Sequence, residues 1–131
     1  MARGRTWGMT QQEWDDAAVR LRGLLLDAAA VKSTVTYGEV SKRVFGGRFS
    51  ARSGALMDLL GEVDTAEAAE NGTIIASLVV RADTGMPGDG YFAFAASELG
   101  ADVSNREAYW RGEAERVWAA HAPSTVKGGR T

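Results

Sequence analysis

Residues 40–52 carry Lys42, Arg43, Arg48 and Arg52 and no acidic side chain. Cations gathered this closely attract phosphate even on a protein of the opposite net charge. Ser50 lies in the same stretch and offers a hydroxyl, and Arg81 adds a further cation later in the chain. The chemistry these residues predict is contact with the phosphates of duplex DNA. A solvated charged face is the competing reading of the same residues.

Other chemistries find weaker support. Gly85-Met86-Pro87-Gly88-Asp89-Gly90 invites comparison with phosphate-binding loops, which follow a strand and open a helix. No Gly-Lys-Ser/Thr is present, and a strand is expected to follow, so a plain hairpin loop is the reading adopted. Asp83 and Asp89 bracket that loop. Paired carboxylates can hold Mg²⁺ or Ca²⁺, but turn aspartates more often bond their own backbone, and no metal is expected. His121, the one histidine, falls at a helix end, where it is expected to face the last carbonyls. Ser50, Ser53 and Ser77 have no partner motif for an activated nucleophile. No catalytic site and no cofactor are therefore expected.

The chain that must position these residues has 131 of them, 45% apolar and 24% charged, ordinary values for one globular domain. It has no cysteine, which excludes disulfides and thiolate chemistry and fits a reducing, cytoplasmic setting. No apolar run approaches the roughly 20 residues of a membrane span, and the first residues lack the apolar core of a signal peptide. The net charge is −2, which argues against strong nonspecific DNA binding. Its distribution is uneven. Residues 1–52 hold nine Lys/Arg and five Asp/Glu, whereas residues 53–131 hold six and twelve.

Residues 1–9 and 123–131 read as flexible tails flanking one domain over 10–122. Thr10-Gln11-Gln12-Glu13 reads as a capping box, and Trp14, Ala18, Leu21, Leu25 and Ala28 follow at helical spacing, predicting a helix over 11–31. Val35-Thr36-Tyr37 predicts a brief strand. Thr36-Tyr37-Gly38-Glu39 opens a short helix to about Val44, which Gly46-Gly47 ends. A further helix is expected from Ser50 or Ala51, with Ala55, Leu56, Leu59, Leu60 and Val63 inward. Asp58, Glu62 and Asp64 are expected on its solvent side, extended by Glu67 and Glu70 into an acidic face that would repel DNA. Residues 73–81, rich in β-branched side chains, predict a buried strand, and Tyr91 to Ala95 a second. A last helix follows Ser104, carrying Trp110, Val117, Trp118 and His121, and Pro123 ends it. Trp14, Trp110 and Trp118 are expected in the core and Trp7 at the surface.

Two close helices followed by a hairpin is the winged-helix order, in which the second helix commonly enters the major groove. The predicted fold is therefore α+β, winged-helix-like, with a small antiparallel hairpin as the wing.

Val35-Thr36-Tyr37-Gly38-Glu39-Val40 also resembles the start of the DNA-binding domain of the O6-alkylguanine alkyltransferases and alkyltransferase-like proteins. Ala51-Arg52-Ser53-Gly54-Ala55-Leu56 resembles their recognition helix, and Ile75 to Val80 with Asp83, Gly85 and Gly90-Tyr91 resembles their hairpin. The likeness covers roughly residues 35–92. It implies that Tyr37 presses on a phosphate and that Arg52 occupies the place of an intercalating arginine. Where those families carry Pro-Cys-His-Arg or Pro-Trp-His-Arg, this chain reads Ile75-Ala76-Ser77-Leu78, so alkyl transfer is excluded. The chain is similar, too, to small uncharacterised bacterial and phage proteins with a Pro-Gly-x-Gly-aromatic hairpin. The expected function is non-catalytic binding of duplex DNA through Tyr37, Lys42, Arg43, Arg48, Ser50, Arg52 and Arg81. The alternative is a protein-interaction module, regulatory or phage-encoded, that docks on a host protein.

Overall fold

A computed structural model of the chain describes residues 6–121. The predicted C-terminal tail, Pro123 and the first five residues lie outside them. Helix α1 runs Gln11–Ala30, capped by Thr10, with the full capping box to Glu13 in place. Its buried stripe, Trp14, Ala17, Leu21, Leu25 and Ala28, follows the 3.6-residue period. Strand β1 is Val35–Thr36. Thr36 then caps α2, Tyr37–Phe45, by accepting the Glu39 amide at 3.1 Å. Gly46 ends α2 in the left-handed region, at φ 65°.

Helix α3, Gly54–Asn71, starts later than the sequence suggested. Ser50 to Ser53 form a turn, with the Ser53 amide on the Ser50 carbonyl at 3.1 Å, and Ser53 is the cap. The acidic extension is helical as expected and stops at Gly72.

The wing does not form. Ile75–Leu78 make a 3₁₀ turn, and only Val79–Val80 pairs as a strand, β2. Strand β2 pairs with β1, in parallel, Val35 against Val79 and Thr36 against Val80. The second predicted strand, Tyr91 to Ala95, lies instead within α4, Asp89–Leu99. The winged-helix fold class is thus overturned: the described residues form five α-helices around a two-stranded parallel sheet.

The reasons lie in particular bonds and in burial. The Asp64 carboxylate accepts the Ala76 amide at 2.8 Å, and the Ser77 amide reaches the Ile74 carbonyl at 3.0 Å. Together they wind the apolar run into a turn. In α4, Tyr91, Phe92 and Ala95 are buried and Phe94 is not, which is helical and not alternating spacing. Asp89 suits the positive end of the helix. Gly100 closes it in the left-handed region, with its amide and that of Ala101 both on the Ala95 carbonyl. Helix α5, Arg106–His121, is capped by Asn105, whose side chain accepts the Ala108 amide at 3.0 Å.

One core joins all of this. Trp14, Leu21, Leu25, Val40, Val44, Leu56, Leu59, Ile75, Leu78, Phe92 and Val117 are among its buried members. Among the described residues no helix is long and apolar enough to cross a membrane.

Candidate nucleic-acid interface

Strands β1 and β2 are parallel, so both chains leave the sheet at the same end. From β1 the chain enters α2 directly at Tyr37. From β2 it makes the loop 81–88 and then enters α4. A crevice opens where the two paths diverge, as it does at the carboxyl ends of parallel strands generally. Its volume is about 590 Å³, within the size range of ligand sites. Tyr37, Arg52, Met57, Arg81, Asp83 and Asp89 are among its lining residues.

The loop is fixed by its own bonds. The Arg81 amide donates to the Met86 carbonyl at 2.8 Å, and the Gly85 amide donates back to the Arg81 carbonyl at 2.9 Å. Gly85, at φ 72°, supplies the backbone conformation this turn needs. The Tyr37 hydroxyl accepts the Gly88 amide at 3.1 Å, clasping the loop end to the start of α2. Burial, partly offset by that bond, raises the Tyr37 pKa above the ordinary phenol value, so Tyr37 is a neutral hydroxyl. Gly88 caps α4 and has no side chain to bond the first-turn amides, of which that of Tyr91 donates to the Gly88 carbonyl at 3.1 Å. Strand, glycine-rich loop and helix start therefore follow in the order that phosphate loops use. Of the two grounds on which the sequence set this loop aside, the following strand is removed and the missing Gly-Lys-Ser/Thr stands.

Charges around the crevice are partly committed. Arg81 holds Asp83 with two bonds, at 2.9 and 2.7 Å, and Arg106 holds Asp89 at 2.8 Å. The Asp83 carboxyl lies below the usual range through its hydrogen bonds from Arg81, and that of Asp89 through Arg106. Each carboxylate of the bracketing pair is thus bonded to its own arginine, and Arg81 also acts on Asp89 through space. Arg52 has no ion pair among the described residues.

The residues singled out in the sequence divide. Tyr37, Arg52 and Arg81 meet in the crevice. Lys42 and Arg43 are exposed on the last turn of α2, with Arg43 ion-paired to Glu39 at 3.4 Å. Arg48 borders a separate depression with Glu13, Asp16 and Arg20, and its guanidinium lies 5.4 Å from the Phe49 ring centre. Ser50 is exposed, and its Oγ accepts the Arg52 amide at 3.3 Å.

The acidic face changes character. Asp58 accepts from Trp7 Nε1 at 2.9 Å, and Glu62 from Trp14 Nε1 at 2.6 Å. Asp64 and Glu67, expected in solvent, are buried. Glu67 accepts from Arg22, Asn71 and Thr73, and meets His121 Nε2 at 2.6 Å. Burial acts to raise its pKa, but the bonds from His121, Thr73 and Asn71 outweigh this and hold it low. Asp64 has no ion pair among the described residues, and burial raises it to about 7. His121 therefore closes a buried polar cluster instead of facing carbonyls. Trp14 is buried. Trp110 and Trp118 are half-buried and donate to the Ser77 and Ser33 carbonyls. Trp7 is half-buried over Gly54.

Sequence reasoning missed two parts of the crevice. The start of α4 was legible in Pro87-Gly88-Asp89 before an alanine-rich run that ends at Gly100. Met57 gave no signal, because α3 was read only for its inward stripe. No family model matches the chain, and neither does any curated protein or solved structure.

Proposed function

We propose that this protein is a non-catalytic nucleic-acid-binding protein and that the crevice between α2 and α4 is where it holds phosphate. One observation carries the reading: Arg52 and Arg81 flank a crevice at the carboxyl ends of both parallel strands, beside a helix start with no side-chain cap. Guanidinium groups bind phosphate oxygens in a planar fork, and first-turn amides add directed donors. Burial of Asp64 and Glu67 supports the same reading, since it takes two of the five carboxyls of α3 off the surface that a polyanion would meet. A cytoplasmic setting, where nucleic acid is at hand, belongs to this proposal.

The mechanism differs from insertion of a recognition helix. Arg52 precedes α3, whose outward face carries Asp58, Glu62 and Glu70 and no cation. The groove contact is made by the loop 81–88, the turn 50–53 and two helix starts. Fluorescence anisotropy with labelled oligonucleotides tests it. Binding that weakens with salt and is lost in Arg52→Ala/Arg81→Ala supports it. Undiminished binding by the double variant overturns the site, and no binding at low salt overturns the function.

A further inference from the structure

The crevice is not uniformly polar. Met57 lines it and is 41% exposed, although its neighbours Leu56, Leu59 and Leu60 are all buried. Ala51 and Tyr37 extend the same apolar wall. An exposed methionine in a concave site is a surface that adapts to a flat apolar partner. A phosphodiester backbone alone would leave that wall unused. Charge points the same way. With Arg81 bonded to Asp83 and Asp89 to Arg106, Arg52 is the lining arginine with no ion pair among the described residues, which suits one phosphate better than a row of them.

We infer that the crevice takes one nucleotide unit, its phosphate at Arg52 and the start of α4 and its base against Met57, Ala51 and Tyr37. This rests on the reading that the crevice binds nucleic-acid phosphate, and it names the form of the ligand. The unit can belong to an unpaired strand or be a free nucleotide, since both present one phosphate beside an accessible base. In a duplex the base faces are stacked and withheld from such a wall. Single-strand sites combine a cationic groove with apolar or aromatic contact to the base.

The test compares a short labelled strand of mixed sequence, the same strand in duplex, and 5′-mononucleotides, both labelled and as competitors. The unpaired strand is expected to bind at least about fivefold more tightly than the duplex, the effect of one base contact. Met57→Gln, a change at an exposed side chain that should leave folding intact, is expected to weaken the strand by a similar factor and leave the duplex unaffected. Direct binding of a labelled 5′-mononucleotide, with no strand binding, identifies a free nucleotide as the ligand. Strand binding without displacement identifies an unpaired strand. Equal affinity for strand and duplex, with Met57→Gln silent, overturns the inference while leaving phosphate binding in place. If neither nucleic acid nor nucleotide binds, the functional reading falls with it.

Discussion

Asp64→Asn separates a buried carboxyl's charge from its hydrogen bond. In the native protein Asp64 accepts the Ala76 amide and has no ion pair among the described residues, and burial raises its pKa from 3.8 to about 7. Between those two values the folded chain holds a proton that the unfolded chain has released. Stability therefore falls as pH rises through that window and levels off above it. A shift of about three units at roughly 1.4 kcal/mol each gives a loss of about 4 kcal/mol. Asparagine keeps an acceptor for Ala76 and never ionises, so its stability lacks this fall. Glu67, held below its ordinary value, is ionised at pH 5 and at pH 8 in both proteins, so the difference between them reports Asp64 together with its repulsion from Glu67. Urea unfolding followed by tryptophan fluorescence at pH 5 and pH 8 measures it. The variant should gain relative to the native protein by about 2–4 kcal/mol between the two conditions. A difference that stays constant with pH, or a native protein that gains on the variant at pH 8, would refute the reasoning.

Three further outcomes follow from the same contacts. Glu67→Gln should cost about 1–3 kcal/mol in denaturant unfolding, because it removes a buried charge that accepts from Thr73, Asn71 and Arg22, although Arg22 is partly exposed and keeps Glu70; a cost under about 0.5 kcal/mol would show that the charge contributes nothing to the fold. Gly54→Ala should displace Trp7, since its Cβ would lie 2.6 Å from that ring. Loss of the Trp7–Asp58 bond and about 1 kcal/mol of stability should appear together, and an unshifted Trp7 indole signal in an NMR spectrum would contradict this. Asp83→Asn should strengthen oligonucleotide binding by freeing Arg81 from its carboxylate; weaker binding in an anisotropy titration would mean that Asp83 instead holds Arg81 in its working position.

Much of the helical framework was legible because helices announce themselves twice, by caps and by period. Thr10 with Glu13, Thr36 with Glu39, and Gly46 after Phe45 all sit where the sequence places them. The hairpin failed where those signals are weakest. Residues 73–80 are apolar without period, and such a run does not separate a strand from a buried turn. The deciding interaction, Asp64 with the Ala76 amide, spans twelve residues and leaves no local mark. Phe92 to Ala95 alternates in size, which imitates a strand, while the Gly88 and Gly100 boundaries mark a helix. The site was half legible for a related reason. Tyr37, Arg52 and Arg81 are of types that contact phosphate, but only the parallel pairing of β1 with β2 brings them together. Lys42, Arg43 and Arg48 are near Arg52 in sequence and do not line the crevice.

Residue-resolved mapping of oligonucleotide binding tests the central claim most directly. On titration into ¹⁵N-labelled protein, the amides of Gly38, Arg52, Arg81, Asp89 and Gly90 should shift together, and those around Arg48 should not. Shifts centred on Arg48, or on Lys42 and Arg43 with the crevice silent, would contradict the account.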